Sequence, residues 1–328
     1  MGLCGGYMKT FSIVIPALNA EKTLSACLDS VHQLEYPLSH LEVIVVDGGS
    51  SDDTMSIAED HHVRVIEGAF ERQAEARNVG AAMAEMDYLL FADADCLLPK
   101  DLLSHAVEKL LFYDLYGAWI APKDSQNWIA KTWLSAKKPH NGLQHALSAG
   151  VLIISKANFK KIGGFNPHYR ADSYREFCLH ARAMGFYLYH DAHTASIDID
   201  QPQDLRAFFN RELHHGASKL ALFRDYGLGE TSGAIALYFG LFVTAVVLII
   251  GILGFNLTLL FWIVAGWMSV ALGLSLTQAS QVNHALINES KINNIWHLTL
   301  LHFLFLMARG LALFRYHQVD DLLRVPSR

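Results

Sequence analysis

Residues 11–54 read FSIVIPALNAEKTLSACLDSVHQLEYPLSHLEVIVVDGGSSDDT. Two apolar, β-branched runs, Phe11–Ile15 and Leu41–Val46, frame this stretch. Neither alternates with polar residues, which is the pattern of strands covered on both faces of a parallel sheet. Between them, Glu21–Gln33 carries Leu24, Cys27, Leu28 and Val31 at helical spacing. Strand, helix and strand in that order predict a parallel α/β unit.

The pattern continues outward. A helix over Thr54–Asp60, a short strand over Val63–Glu67, a helix over Gln73–Ala84 and a strand over Tyr88–Ala92 are expected. Residues 8–200 read as one doubly wound α/β domain, with helices on both faces of the sheet.

The text changes near Gly233. Ala234–Leu253 and Leu257–Leu276 are apolar and uncharged, each long enough to span a bilayer. Gly254-Phe255-Asn256 joins them tightly, so a helical hairpin is expected. A third run, Ile295–Phe314, contains His297, His302 and Arg309, which are costly in lipid. It reads as a weaker span or as a helix lying in the interface. Hydrophobic residues make up 52% of the 328, and mean hydropathy is +0.21, in keeping with membrane segments. The expected division is residues 8–228 as the α/β domain and 229–328 as the membrane region. Arg206, Arg211, Lys219 and Arg224 precede the first run, which puts the α/β domain in the cytoplasm. Arg315, Arg324 and Arg328 also prefer that side, and three spans would place them outside.

The net charge of -6 gives no basic face for nucleic acid. The 17 histidines include no HExxH spacing. The four cysteines, Cys4, Cys27, Cys96 and Cys178, are scattered and read as buried free thiols. Met8 offers an alternative start, and no secretory or myristoylation pattern precedes Phe11.

Four features carry chemistry. Ile15-Pro16-Ala17-Leu18-Asn19-Ala20-Glu21 ends a strand, and Asn19 can cap the helix that follows. Val46-Asp47-Gly48-Gly49-Ser50 ends the next strand. Asp47 can accept hydrogen bonds from a base or ribose, while Gly48 and Gly49 allow close approach of a ligand. Asp52 or Asp53 can cap the helix at Thr54. In Arg72–Gly80, the small residues Ala74, Ala76 and Gly80 allow a helix to lie close on the sheet. Arg72 and Arg77 can meet phosphates there, or they can be surface arginines. Phe91-Ala92-Asp93-Ala94-Asp95 runs a buried strand into two carboxylates, a hard-oxygen set suited to Mg²⁺ or Mn²⁺ with substrate phosphates. Strand ends of an open α/β sheet are where ligands bind.

Together, IPALNAE (15–21), VDGGSSDDT (46–54), QAEARNVG (73–80) and FADAD (91–95) resemble the family-2 glycosyltransferases, with a GT-A nucleotide-sugar domain. The resemblance covers residues 8–225. It implies a GT-A-like mixed sheet and a nucleoside pocket lined by Pro16, Glu21 and Asp47, with Arg77 near the donor. It also implies Asp93 by the ribose or metal and Asp95 on the metal. Gly150, in SAGVLIIS, resembles the acceptor side, and Lys161–Asn166 (KIGGFN) resembles the motif before the catalytic acid. The family's Glu-Asp pair is replaced by Ala171-Asp172-Ser173-Tyr174-Arg175-Glu176. Tyr174 falls at the base position on one count. Asp172 and Glu176 both remain candidates for the general base.

The family's polymerising QxxRW motif is absent, which implies transfer of one sugar. The expectation is a metal-dependent inverting glycosyltransferase anchored in a bacterial inner membrane. It would use a nucleotide-diphosphate sugar, a UDP-sugar first, and a lipid or lipid-linked acceptor. The alternatives are an impaired, membrane-tethered nucleotide-sugar scaffold, supported by the broken Glu-Asp motif, and a nucleotidyltransferase. The latter lacks its Gly-rich N-terminal loop, since Phe11–Leu18 contains no glycine.

Overall fold

The computed structural model describes residues 8–70, 72–122, 127–135, 141–143, 147, 150–169, 172–226 and 295–315. The chain divides into two compact units, Met1–Lys123 with Pro139–Gln201, and Asp124–Lys138 with Pro202–Arg328.

The first unit is built on a mixed sheet. Its strands among the described residues are β1 (Phe11–Ala17), β2 (Leu41–Asp47), β3 (Arg64–Glu67), β4 (Tyr88–Ala92), β5 (Cys96–Leu97), β6 (Leu115–Pro122), β7 (Gly142–Leu143), β8 (Val151–Ser155) and β9 (Leu188–Asp198). The order is β3-β2-β1-β4-β8-β6-β9-β5, with β7 also on β9. β3, β2, β1 and β4 are parallel, as the strand–helix–strand text predicts. β8 runs antiparallel to both β4 and β6, which makes the sheet mixed. β6 and β9 are parallel, with an irregularity after Ala118.

Every residue of β1 is buried, because both faces of the sheet are covered. Phe11, Ile13 and Ile15 face one core with Leu24, Cys27, Leu28 and Val31 of α1 (Leu24–His32). That core also takes Leu102, Leu103 and Ala106 of α4 (Leu102–Lys109). Val14, Ile44 and Val46 face the other core. There they meet Ala74, Ala76 and Ala81 of α3 (Gln73–Met83), and Phe159 and Phe177 of α6 (Lys156–Ile162) and α7 (Ser173–Ala183). This alternation along β1 is the physical content of a doubly wound sheet. α2 (Thr54–Asp60) follows β2.

α3 is slim where it crosses the sheet. A Cβ added at Gly80 would lie 2.3 Å from Cγ1 of Val14 and 3.0 Å from Cγ2 of Val46. The expectation of a helix lying close on the sheet therefore holds.

The second unit contains α5 (Trp128–Ser135), α8 (Leu205–Tyr226) and α9 (Ile295–Arg315). Ile129, Phe208 and Leu301 form its core, with Trp133, Leu205, Leu304 and Phe305 around them. Arg309 is buried and pairs with Glu212, its Nε and Nη2 donating to one carboxylate oxygen at 3.0 and 2.6 Å. Arg309, one of the ionisable residues in the third apolar run, thus faces another helix. No helix among the described residues is long and apolar enough to cross a membrane, so α9 is not supported as a span. The runs at 234–253 and 257–276 lie outside the described residues.

Gly80→Ala tests the close approach of α3. Alanine is the better helix former by about 1 kcal/mol. The contact with branched, buried Val14 opposes that gain, and overpacking costs about 1–3 kcal/mol. Urea unfolding should show a net loss of stability; a gain would mean that α3 stands off the sheet.

Candidate active site

The loops that follow β1, β2 and β4 emerge at one edge of the sheet, because these strands are parallel and in register. Ala17 lies opposite Asp47, and Val14 opposite Phe91. The first two loops are stitched together. Asn19 adopts a left-handed backbone, φ 50°, which asparagine tolerates better than most residues. Its side-chain oxygen accepts from the Ser51 N–H at 2.9 Å, and its own N–H donates to Ser50 Oγ at 2.8 Å. Asn19 does not cap α1, whose N-cap is Thr23 without a side-chain bond. The chain runs through a turn before that helix begins, so Asn19 is spent on joining the loops. Asp53 holds the N-cap position of α2 without a side-chain bond, while Asp52 accepts from the Thr54 N–H at 3.1 Å. Asp52 also accepts from the Glu21 N–H at 3.1 Å.

Asp47 is buried and turned into its own loop. One oxygen accepts from the N–H groups of Gly49 and Ser50, both at 2.9 Å, and the other accepts from Ser50 Oγ at 2.5 Å. Its visible work is to shape the β2 loop. Gly49 takes φ 91°, and Gly48 donates to the Ala17 carbonyl at 2.9 Å. Pro16 is buried within β1, and the side chain of Glu21 is exposed.

The centre of the site is the end of β4. Asp93 lies beside Arg77, whose Nη2 donates to its Oδ1 at 2.6 Å. Arg77 is 1% exposed. It also donates to Gln73 Oε1 and Ser173 Oγ, both at 3.0 Å, and lies 4.1 Å over the ring of Tyr174. It is therefore neither a surface arginine nor an open phosphate fork. Arg72 donates instead to the Pro167 carbonyl at 2.6 Å. Asn78, next to Arg77 in the chain, clamps Phe165, accepting its N–H at 2.8 Å and donating to its carbonyl at 2.7 Å. A Cβ on Gly164 would lie 2.8 Å from that Asn78 oxygen, at φ 74°. The RNVG and KIGGFN segments, far apart in the chain, are thus one assembly.

Gly150, at φ 113°, accepts the Asp93 N–H at 3.1 Å and has no room for a Cβ beside Ile120 and Cys96. Asp95 is held through its backbone, its carbonyl accepting the Ile199 N–H at 2.9 Å. Burial pushes its carboxyl up to about 7, reinforced by Asp93, Asp198 and Asp200. Asp198 faces Cys96 across the β5–β9 ladder. The pair Asp198 and Asp200 repeats the spacing of Asp93 and Asp95, a signal present in the sequence but not picked out.

Among the described residues no group of three or more His, Cys, Asp or Glu side chains forms a ready metal cage. The donors still suit Mg²⁺ or Mn²⁺, which bind through one or two carboxylates and complete their shell with phosphate and water. Burial pushes the Cys27 thiol up to about 12 and Cys96 well above its usual range, so both are neutral thiols in the unliganded protein. Cys27, Cys96 and Cys178 are buried and free, as expected.

α7 supplies the remaining candidates. Asp172 is its N-cap, half-buried, with φ 58°. Glu176, in the first turn, is 4% exposed. Tyr174 is buried beneath Arg77, and burial holds its phenol well above its usual range, so it is a poor base. Ser173 and Tyr174 both contact Arg77.

Asp95 yields a test with a definite sign. A carboxyl raised in the folded state costs stability once it ionises. The cost is absent below the unfolded value near 4, grows with pH, and is complete above about 7. In EDTA, Asp95→Asn should melt higher than the wild type, by a margin that widens from pH 4 to pH 8. A margin independent of pH would refute the burial of that charge. Asp47→Ala should lower stability by about 1–3 kcal/mol, since it orphans the buried donors of the β2 loop; calorimetry of the two proteins checks this.

Comparison with known proteins places this geometry. Residues 12–159 match the sequence profile described as Glycosyl transferase family 2. The chain is 32% identical over 105 residues to the poly(ribitol-phosphate) beta-N-acetylglucosaminyltransferase TarS of Staphylococcus aureus, covering 30% of this chain and 18% of TarS. It is 26% identical over 108 residues to the dolichyl N-acetyl-alpha-D-glucosaminyl phosphate 3-beta-D-2,3-diacetamido-2,3-dideoxy-beta-D-glucuronosyltransferase of Methanococcus voltae, covering 31% of this chain and 34% of that one. These alignments span well under half of either relative. In structure, the chain is similar to the mannosyltransferase PcManGT of Pyrobaculum calidifontis, solved with GDP-Man and Mn²⁺. The TM-score is 0.62 at 18% identity, over 95% of this chain and 88% of that one, which establishes a shared fold. The chain therefore carries a segment, residues 12–159, that is similar to glycosyl transferase family 2, on a mixed α/β fold consistent with GT-A.

Proposed function

We propose that this protein is a metal-dependent inverting glycosyltransferase that moves a single sugar from a nucleotide-diphosphate sugar, a UDP-sugar first, to a lipid or lipid-linked acceptor. The observation that carries this reading is the end of β4. There Asp93 and Asp95 stand at the strand-end edge of the sheet, where ligands bind in such folds, and Arg77 joins Asp93 to Ser173, the first residue of α7. Relatives named for sugar transfer and a fold shared with a GDP-Man and Mn²⁺ complex support it.

In this proposal Asp93 and Asp95 would hold a divalent ion, which would offset charge on the departing diphosphate. Pro16, Asn19, Glu21, Asp47, Gly48 and Arg72 belong to the donor side, several of them by shaping the loops. Gly150 lies toward the acceptor. Asp172 removes the acceptor's proton. It is preferred to Glu176 because a base must reach a hydroxyl, and Glu176 is 4% exposed whereas Asp172 is half-buried at the start of α7. Its left-handed backbone also fits a functional position.

The acceptor class rests on two supports: the apolar runs at 234–253 and 257–276, and the dolichyl-phosphate substrate in the name of the Methanococcus voltae relative. Membrane anchoring, with the first unit in the bacterial cytoplasm, rests on those runs and the preceding arginines and lysine.

Nucleotide release by the detergent-purified chain tests the reaction, using a panel of UDP-, GDP- and dTDP-sugars with Mn²⁺ or Mg²⁺. Release is expected for one donor and should vanish in Asp95→Ala. Donor binding without release in any mixture would favour the scaffold reading instead. Asp172→Asn should lower turnover by roughly 10²–10⁴-fold, while Glu176→Gln keeps most of it; the reverse order would exchange the two roles.

A further inference from the structure

We infer that Arg77 is a positioning residue that couples the cation site to helix α7, with Ser173 as the joint. This inference rests on the reading of the site proposed above. The guanidinium is enclosed, and its two Nη groups reach three elements. Nη2 goes to Asp93 at the end of β4 and to Gln73 within α3. Nη1 goes to Ser173, the first residue of α7, one position after Asp172. The Tyr174 ring lies 4.1 Å from the guanidinium carbon and the Phe165 ring 5.6 Å, so turning the plane would cost ring contacts as well as hydrogen bonds.

α3 reaches this segment at two further points, Arg72 on the Pro167 carbonyl and Asn78 on Phe165. Those bonds fix the approach to α7 at its upstream end. Ser173, at the start of α7, accepts a hydrogen bond from the arginine that also grips Asp93, and Tyr174 lies against the same guanidinium. A change in how Asp93 is engaged, by an ion or a diphosphate, is therefore passed to the backbone next to Asp172 through one rigid, planar group. Arginine suits this task because its fork is pre-organised, whereas lysine would offer a single point charge.

A residue acting in this way should affect turnover and leave binding alone. Ser173→Ala cuts the joint but keeps Arg77, Asp93, Asp95 and both upstream anchors. The measurements are Mn²⁺ binding by electron paramagnetic resonance, and kcat and KM for the most active donor among UDP-glucose, UDP-N-acetylglucosamine and GDP-mannose. Ser173→Ala is expected to bind Mn²⁺ as the wild type does and to keep its donor KM. Its kcat should fall by roughly 10- to 100-fold, the scale of a misplacement of about 1 Å. Ser173→Thr, which keeps the hydroxyl, should recover most of that loss.

An unchanged kcat in Ser173→Ala would overturn the inference. So would a loss of Mn²⁺ affinity in parallel with kcat, since that would mark Ser173 as merely structural. A wild type that neither binds Mn²⁺ nor releases nucleotide would instead overturn the underlying reading of the site, and this inference with it.

Discussion

A buried arginine needs its charge answered, and here the answer organises the first unit. Arg77 is 1% exposed, and its carboxylate partner is 2.6 Å away. Removing one partner of such a pair leaves an uncompensated charge, at a cost of about 3–5 kcal/mol. The guanidinium can be buried only if Asp93 stands at the end of β4 and the start of α7 folds over it. The close seat of α3, allowed by Gly80 against Val14, brings Arg77 to that depth. Packing and electrostatics therefore specify the same arrangement.

That arrangement distributes roles among residues that look alike in the sequence. Asp47 and Asp93 both end buried parallel strands. Asp47 is spent on three donors of its own loop, whereas Asp93 meets a cation. Asp95, two residues on, has three carboxylates as neighbours, and its own charge is disfavoured. An electrostatic deficit of this kind at a ligand-binding edge is a common mark of a functional site. In the second unit the logic recurs: Arg309, out of place in an apolar run, is answered by Glu212 on α8.

The parallel half of the sheet was legible in the order of residues because it depends on local patterning. The runs Phe11–Ile15, Leu41–Val46 and Tyr88–Ala92 appear in their strands, and Leu24, Cys27, Leu28 and Val31 form the buried face of α1. The candidate site was partly legible for the same reason, since motifs at strand ends fall at the ligand edge of such a sheet. The fate of Asn19 was not. Its capping propensity is real, but its left-handed backbone and its bond to Ser51 depend on a loop 32 positions away.

The sequence by itself determined the α/β class of the first unit, the edge of the sheet where the β1, β2 and β4 loops emerge, and the spacing of Asp93 and Asp95 after β4, because periodicity and short motifs are properties of neighbours. Tertiary structure alone decided that Arg77 lies inside, that Ser173 and Tyr174 engage it, that Asn78 clamps Phe165, and that Asp198 flanks Asp95. Those contacts join residues dozens of positions apart, and their strength comes from burial, which no local pattern of side chains encodes.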